Sequence, residues 1–144
     1  MSINLFIDTS SVFCLYHYES GTSEMEEIFH KQKIRTIFLA EITKLEFTSA
    51  VWKKVRTKEI DKIHALQLLT AFEKDFSKYH FVSTDNTVIE TAKLLLSKYG
   101  SDGLRTLDSI QLATAVVLKK YVQLNKCADK LLEKLMLLEG LNTQ

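Results

Sequence analysis

Ile3-Asn4-Leu5-Phe6-Ile7-Asp8-Thr9-Ser10 is the stretch that decides the fold. Residues 3–7 are mostly apolar, and the run stops at a carboxylate. A short apolar run bounded by polar turn residues reads as a buried strand, here delivering Asp8 at its C-terminal tip. Outward from it, 36–39 and 80–82 read as strands, and Val122 with Leu124 marks a fourth. Helical stretches fill the intervals. Ser10 or Ser11 caps a short one to about residue 18. Ser23 with Glu26 forms a capping box that opens a second to about residue 33. A third runs over 42–55. Ile60, Ile63, Leu66, Leu69, Phe72 and Phe76, spaced by three and four, predict an amphipathic helix over 58–78. Thr84 or Asp85 caps a helix that Gly100 stops in the left-handed conformation. Asp108 opens another to about residue 120, and a last helix spans 128–138. Strands alternating with helices imply crossover connections, hence an α/β fold with a mostly parallel sheet. Such sheets bind ligands beyond the carboxyl ends of their strands, which singles out Asp8.

Composition bounds the rest. The 144 residues fit one domain, 1–144. A chain of this size buries roughly 70% of its unfolded surface and needs no disulfide or structural metal to fold. Apolar residues at 46% and charged residues at 26% exclude a disordered tail and a disulfide miniprotein. Lys and Arg number 19 against 18 Asp and Glu. Bulk charge therefore gives no nucleic-acid signal, and any such partner must be met by local patches. Lys53, Lys54, Arg56 and Lys58 form the densest basic cluster. Cys14 and Cys127 make no CxxC pair, which fits a reduced, cytoplasmic setting. The N-terminus lacks the basic region of a signal peptide, and no apolar run approaches a membrane span.

Four acids stand where this fold brings them together. Asp8 ends the first strand, and Glu46 lies one turn into the helix after the second. Asp108 heads the apolar helix Ile110-Gln111-Leu112-Ala113, and Asp129 follows the fourth strand. Taken singly, an Asp before a helix is more often a cap than a ligand; the joint pattern carries the inference. Two unit charges about 5 Å apart repel by roughly 3 kcal/mol at an effective dielectric of about 20. Clustered carboxylates therefore protonate or recruit a cation. Hard oxygen ligands select Mg²⁺ or Mn²⁺. Such an ion lowers the pKa of a bound water and stabilises charge on a phosphate. Glu41 rivals Glu46 by position. The four histidines show no ligand spacing.

These residues resemble a PIN domain, in particular the VapC-like toxin branch. The resemblance rests on Leu5-Phe6-Ile7-Asp8-Thr9-Ser10, Ile42-Thr43-Lys44-Leu45-Glu46-Phe47, Leu104-Arg105-Thr106-Leu107-Asp108-Ser109-Ile110-Gln111-Leu112-Ala113-Thr114-Ala115 and Ala128-Asp129-Lys130-Leu131-Leu132. It implies a three-layer α/β/α fold around a sheet of four or five strands. It also implies a Mg²⁺- or Mn²⁺-dependent ribonuclease, the toxin of a toxin–antitoxin pair. Asp8 and Asp108 would be the metal ligands, with Glu46 and Asp129 completing an acidic catalytic pocket. Ser10 matches a position that contacts the pocket through its hydroxyl. Arg105 is a candidate to support the pocket or touch phosphate. The family implies a homodimer, held in check by a small antitoxin that inserts a segment, often with a basic side chain, into the acidic groove.

Two other readings compete. Aspartyl-phosphate chemistry needs a second acid beside the strand tip, where Thr9 and Ser10 stand instead. A PIN-fold module that binds RNA or a protein without turnover is the stronger rival. Residues 121–127 are more polar than the family's usual fourth strand, and Cys127 stands where a hydroxyl is usual.

Overall fold

The computed structural model describes residues 1–144. Four strands, β1 (Ser2–Ile7), β2 (Lys33–Ala40), β3 (Tyr79–Val82) and β4 (Leu124–Lys126), form one sheet in the order β3-β2-β1-β4. Every neighbouring pair is parallel. Parallel pairing forces the chain to cross over between strands. Helices α1 (Thr9–Tyr16) and α2 (Thr22–Lys31) make the first crossover. Helices α3 (Thr43–Arg56) and α4 (Lys62–Lys74) make the second, and α5 (Asn86–Tyr99) and α6 (Thr106–Val117) the third. Helix α7 (Lys130–Leu138) follows β4.

The central strand explains the layers. Leu5, Phe6 and Ile7 are all fully buried, and successive side chains point to opposite faces. Leu5 and Ile7 pack with Val12, Met25, Phe47, Val51 and Phe72 of α1–α4. Phe6 packs with Leu95, Leu112, Leu132 and Met136 of α5–α7. The result is the α/β/α sandwich expected, with four strands and no antiparallel member. The C-terminal residues run beside the edge strand β4. The Asn125 amide donates to Asn142 O (2.8 Å), and buried Lys126 donates to Thr143 O (2.9 Å). Covering an edge in this way blunts its capacity to pair with another chain.

The strand order positions the site. From β1 the chain builds outward through β2 and β3, then returns to β4 on the other flank of β1. Helix α1 leaves β1 into one layer and α7 leaves β4 into the other. A crevice therefore opens between the carboxyl ends of β1 and β4, the kind of switch point where open α/β sheets bind ligands.

Several local expectations are corrected. Asp8, not Ser10 or Ser11, caps α1 by accepting from the Ser11 amide. Helix α2 starts at Thr22 after Gly21, so Ser23 lies inside it and forms no box. The Thr22 hydroxyl is drawn to Cys14 O (2.9 Å), a tertiary bond that sets this start. The helix expected over 58–78 is shorter. Lys58 takes a left-handed φ of 62°, Asp61 caps α4, and residues 76–78 form a separate 3₁₀ turn. Gly100 is helical, and the left-handed residue is Gly103, with φ 109°. Helix α6 begins two residues before Asp108, after Arg105. Val122 precedes β4 rather than joining it.

Candidate active site

Asp8 sits at the floor of the crevice, 4% exposed. Its backbone amide extends the sheet by donating to Lys126 O (3.2 Å). Its Oδ1 accepts from the Ser11 amide (3.1 Å). The Ser10 hydroxyl lies 2.8 Å from Oδ1 and 2.9 Å from Oδ2. The Cys127 thiol donates to Oδ2 (3.3 Å). Burial outweighs these donors and pushes the Asp8 carboxyl up to about 6. Burial also raises the Cys127 thiol, with the charge of Asp8 adding to it. Cys127 is thus a neutral donor in the place expected of a hydroxyl.

Ser10 is a strut more than a free hydroxyl. It donates to Asp8 and accepts from the Ala128 amide (3.0 Å), tying β1 to the turn before α7. Asp129 caps α7, with Oδ1 accepting from the Leu132 amide (2.8 Å). A cap occupies only one oxygen. Capping thus leaves Asp129 Oδ2 free, whereas Asp8 Oδ2 also accepts from Ser10 and Cys127.

Asp108 is not a cap. It stands in the first turn of α6, where the helix dipole favours a negative charge. Burial and then the charge of Asp129 raise its carboxyl, and Arg105 partly opposes them. The charge of Asp129 thus bears on Asp108 although 21 residues separate them in sequence. Asp108 shares a cleft of about 820 Å³ with Glu46, Lys53, Leu104 and Arg105. A second cavity of about 390 Å³ is lined by Thr9, Ser10, Lys53, Lys54 and Ala128, among others. Lys53 borders both.

Glu46 reaches the same end from α3. Its Oε1 accepts from the Thr9 hydroxyl (2.8 Å) and from Gln111 Nε2 (2.7 Å). Thr9 is the neighbour of Asp8, and Gln111 lies one helical turn beyond Asp108. Glu46 is thereby linked to both. Glu41 is exposed and pairs with Lys44 (2.9 Å), outside this network. In the basic cluster, Lys54 is engaged by Glu19 and Glu59, each at 3.3 Å. Lys53 and Arg56 form no ion pair and are exposed.

All four acids thus border the carboxyl end of the sheet. No three His, Cys, Asp or Glu side chains approach closely enough to grip one ion by themselves. The donor set nonetheless fits a hard divalent cation. Every candidate ligand is a carboxylate oxygen, and no ion pair to any of the four acids forms. Mg²⁺ is commonly held through one or two carboxylates and keeps several waters. Sequence reasoning did not assign roles to Gln111, Thr9 or Thr43. Gln111 gave one signal, an amide in the otherwise apolar run 110–113.

The PIN domain family model matches residues 5–122, a span that includes Asp8, Glu46 and Asp108 and stops before Asp129. No curated protein matches the sequence. Among solved structures, the VapC20 toxin of Mycobacterium tuberculosis, which cleaves the sarcin-ricin loop, aligns with a TM-score of 0.68. It is 14% identical, over 91% of this chain and 94% of that one. VapBC2 of Rickettsia felis, bound to a DNA fragment from its promoter, aligns at 0.61 with 14% identity, over 97% of each chain. PAE2754 of Pyrobaculum aerophilum aligns at 0.55 with 19% identity, over 96% and 90%. At these identities the structural likeness is one of fold. No helix is long and apolar enough to cross a membrane.

Proposed function

Because the chain belongs to the PIN domain family, we propose that it is a divalent-metal-dependent endoribonuclease acting as the toxin of a toxin–antitoxin pair. The observation that carries this reading is the crevice at the ends of β1 and β4. At that end of the sheet Asp8, at the tip of β1, and Asp108, in the first turn of α6, have raised carboxyls, and neither forms an ion pair. Asp8 and Asp108 would hold Mg²⁺ or Mn²⁺. Bound there, the ion supplies charge that offsets the carboxylates and stabilises the phosphodiester's developing negative charge.

The chain's own residues do the rest. Ser10 and Cys127 fix the Asp8 carboxylate by donating to it. Glu46, anchored through one oxygen, is free to accept a proton from, or orient, an attacking water with the other. Asp129 adds a second acid on the Asp108 side. Arg105 and Lys53, on the walls of the cleft, suit the RNA backbone, whose phosphates require cations. A small antitoxin that offers a basic side chain to this acidic crevice is the expected inhibitor. The chain is expected to work as a homodimer in the cytoplasm.

Purified chain freed of any antitoxin should cut RNA with Mg²⁺ or Mn²⁺ and not with EDTA, and Asp8→Asn should abolish the cutting. Wild-type cleavage by Asp8→Asn would refute the mechanism. One observation favours a second reading, a module that binds without turnover: Asp8 already accepts from Ser10, Ser11 and Cys127. Calorimetry separates the two. RNA binding with no heat of Mn²⁺ binding would support the module.

A further inference from the structure

Gln111 is 1% exposed in the middle of α6, among Leu112, Ala113 and Ala115. Its Nε2 has three acceptors in reach: Glu46 Oε1 at 2.7 Å, and Thr9 Oγ1 and Thr43 Oγ1 at 3.0 Å each. Its own Oε1 is buried and has no partner. An amide left half-satisfied in a core is destabilising, because the bare acceptor loses its hydration with nothing in return. Turning the amide over would not help, since its oxygen would then face the Glu46 carboxylate. The arrangement therefore serves the Nε2 side.

What that side does follows from counting protons. Gln111 has two to give. The shorter contact goes to Glu46 Oε1, and the other goes to a threonine hydroxyl. The Thr9 hydroxyl has one proton and spends it on the same Glu46 oxygen (2.8 Å). Thr43 Oγ1, fully buried and 3.1 Å from Thr9 Oγ1, is then left to accept the second Gln111 proton. Both donors from the core thus converge on Oε1. Glu46 Oε2 has no protein partner and is open to solvent, in a residue that lines the cleft with Asp108.

We infer that Gln111 is a positioning residue, which clamps Glu46 by one oxygen so that the other is presented to the cleft at a fixed place. The inference rests on the ribonuclease reading. Gln111 links three elements: its own helix carries Asp108, Thr9 follows Asp8, and Glu46 comes from α3. It holds the acid from α3 in register with the two proposed metal ligands. Thermal stability does not require this, because Gln111→Met keeps the shape, removes the orphaned acceptor and leaves half-exposed Glu46 to water.

The test is a double-mutant cycle on the full chain, with enzyme in excess over RNA so that slow variants stay measurable. Gln111→Met should slow cleavage about tenfold with RNA binding within about twofold of wild type. In EDTA it should melt within about 3 °C of wild type. In a Glu46→Ala background the same change should cost less than about twofold, because its target is gone. Thr9→Val, which removes the other donor to Oε1, should repeat the pattern. Wild-type cleavage by Gln111→Met, or an equal loss in both backgrounds, overturns the inference. Asp8→Asn run alongside keeps the two claims apart. If it is inactive while Gln111→Met cuts normally, only the clamp is lost. If Asp8→Asn cuts normally, the ribonuclease reading falls and takes the clamp with it.

Discussion

The crevice between β1 and β4 and the junction of α5 with α7 treat acids in opposite ways. At the junction, Glu139 accepts from Lys98 Nζ (2.8 Å) and from the Tyr99 hydroxyl, and these partners pull its carboxyl below the usual range. Asp75 is handled likewise by Tyr16 and Lys78. In the crevice, Asp8 and Asp108 are raised by burial, and Asp108 also by its acidic neighbour Asp129. An acid with a cation beside it adds to the fold. An acid buried without one subtracts from it at neutral pH, a cost of the kind proteins retain at functional sites.

Substitution of Asp8 gives the sharpest contrast. Asp8→Asn should lower RNA cleavage at least about a thousandfold. In EDTA at neutral pH the same variant should gain about 1–3 kcal/mol, because the buried charge is removed. Denaturant melts would show it; a loss of stability would erase the distinction between the two regions.

The pH dependence comes next. The native Asp8 carboxyl keeps its proton up to about 6, whereas the unfolded one releases it near 3.8. Between these values the native state binds more protons, so stability falls as pH rises. The contribution is complete below 3.8 and lost through about 6, on the order of 3 kcal/mol for this buried group. Asp108 adds in the same direction. Glu139 and Asp75 act oppositely: their stabilisation is present above the unfolded value and lost in acid. Metal-free melts from acid to neutral pH should slope downward in wild type and flatten in Asp8→Asn.

Divalent ions should reverse that loss. At about a hundredfold excess over its dissociation constant, Mn²⁺ should stabilise the wild type by about 2.7 kcal/mol. This amounts to several degrees in Tm, and Asp108→Asn should abolish the shift. An equal shift in both proteins would place the ion elsewhere. The smallest effect is at the junction. Glu139→Gln should cost about 0.5–1 kcal/mol, since Lys98 is 59% exposed and water screens the pair. Its RNA cleavage should stay at the wild-type level.

Much of this fold was legible because it is written in short range. The run Leu5-Phe6-Ile7 fixed a strand buried on both faces, and Asp8 at its tip fixed where a ligand would meet the sheet. Asp85 fixed the start of α5. The apolar spacing through Ile63, Leu66 and Leu69 fixed that a helix forms but not its buried face: Ile63 and Leu66 are exposed, and Ala65, Leu68 and Phe72 pack inward. Local cues misplaced the starts of α2 and α6 and the glycine stop: at α2 the Thr22 hydroxyl bonds back to Cys14 O, and after α5 an added 3₁₀ turn moves the left-handed residue from Gly100 to Gly103. What tertiary structure alone decided is the wiring of the acids. Gln111 meets Glu46 across 65 residues and Thr9 across 102, and Cys127 meets Asp8 across 119. Periodicity and capping act over a turn or two of chain. The facing of side chains from α1, α3 and α6 is set only when the layers close on β1.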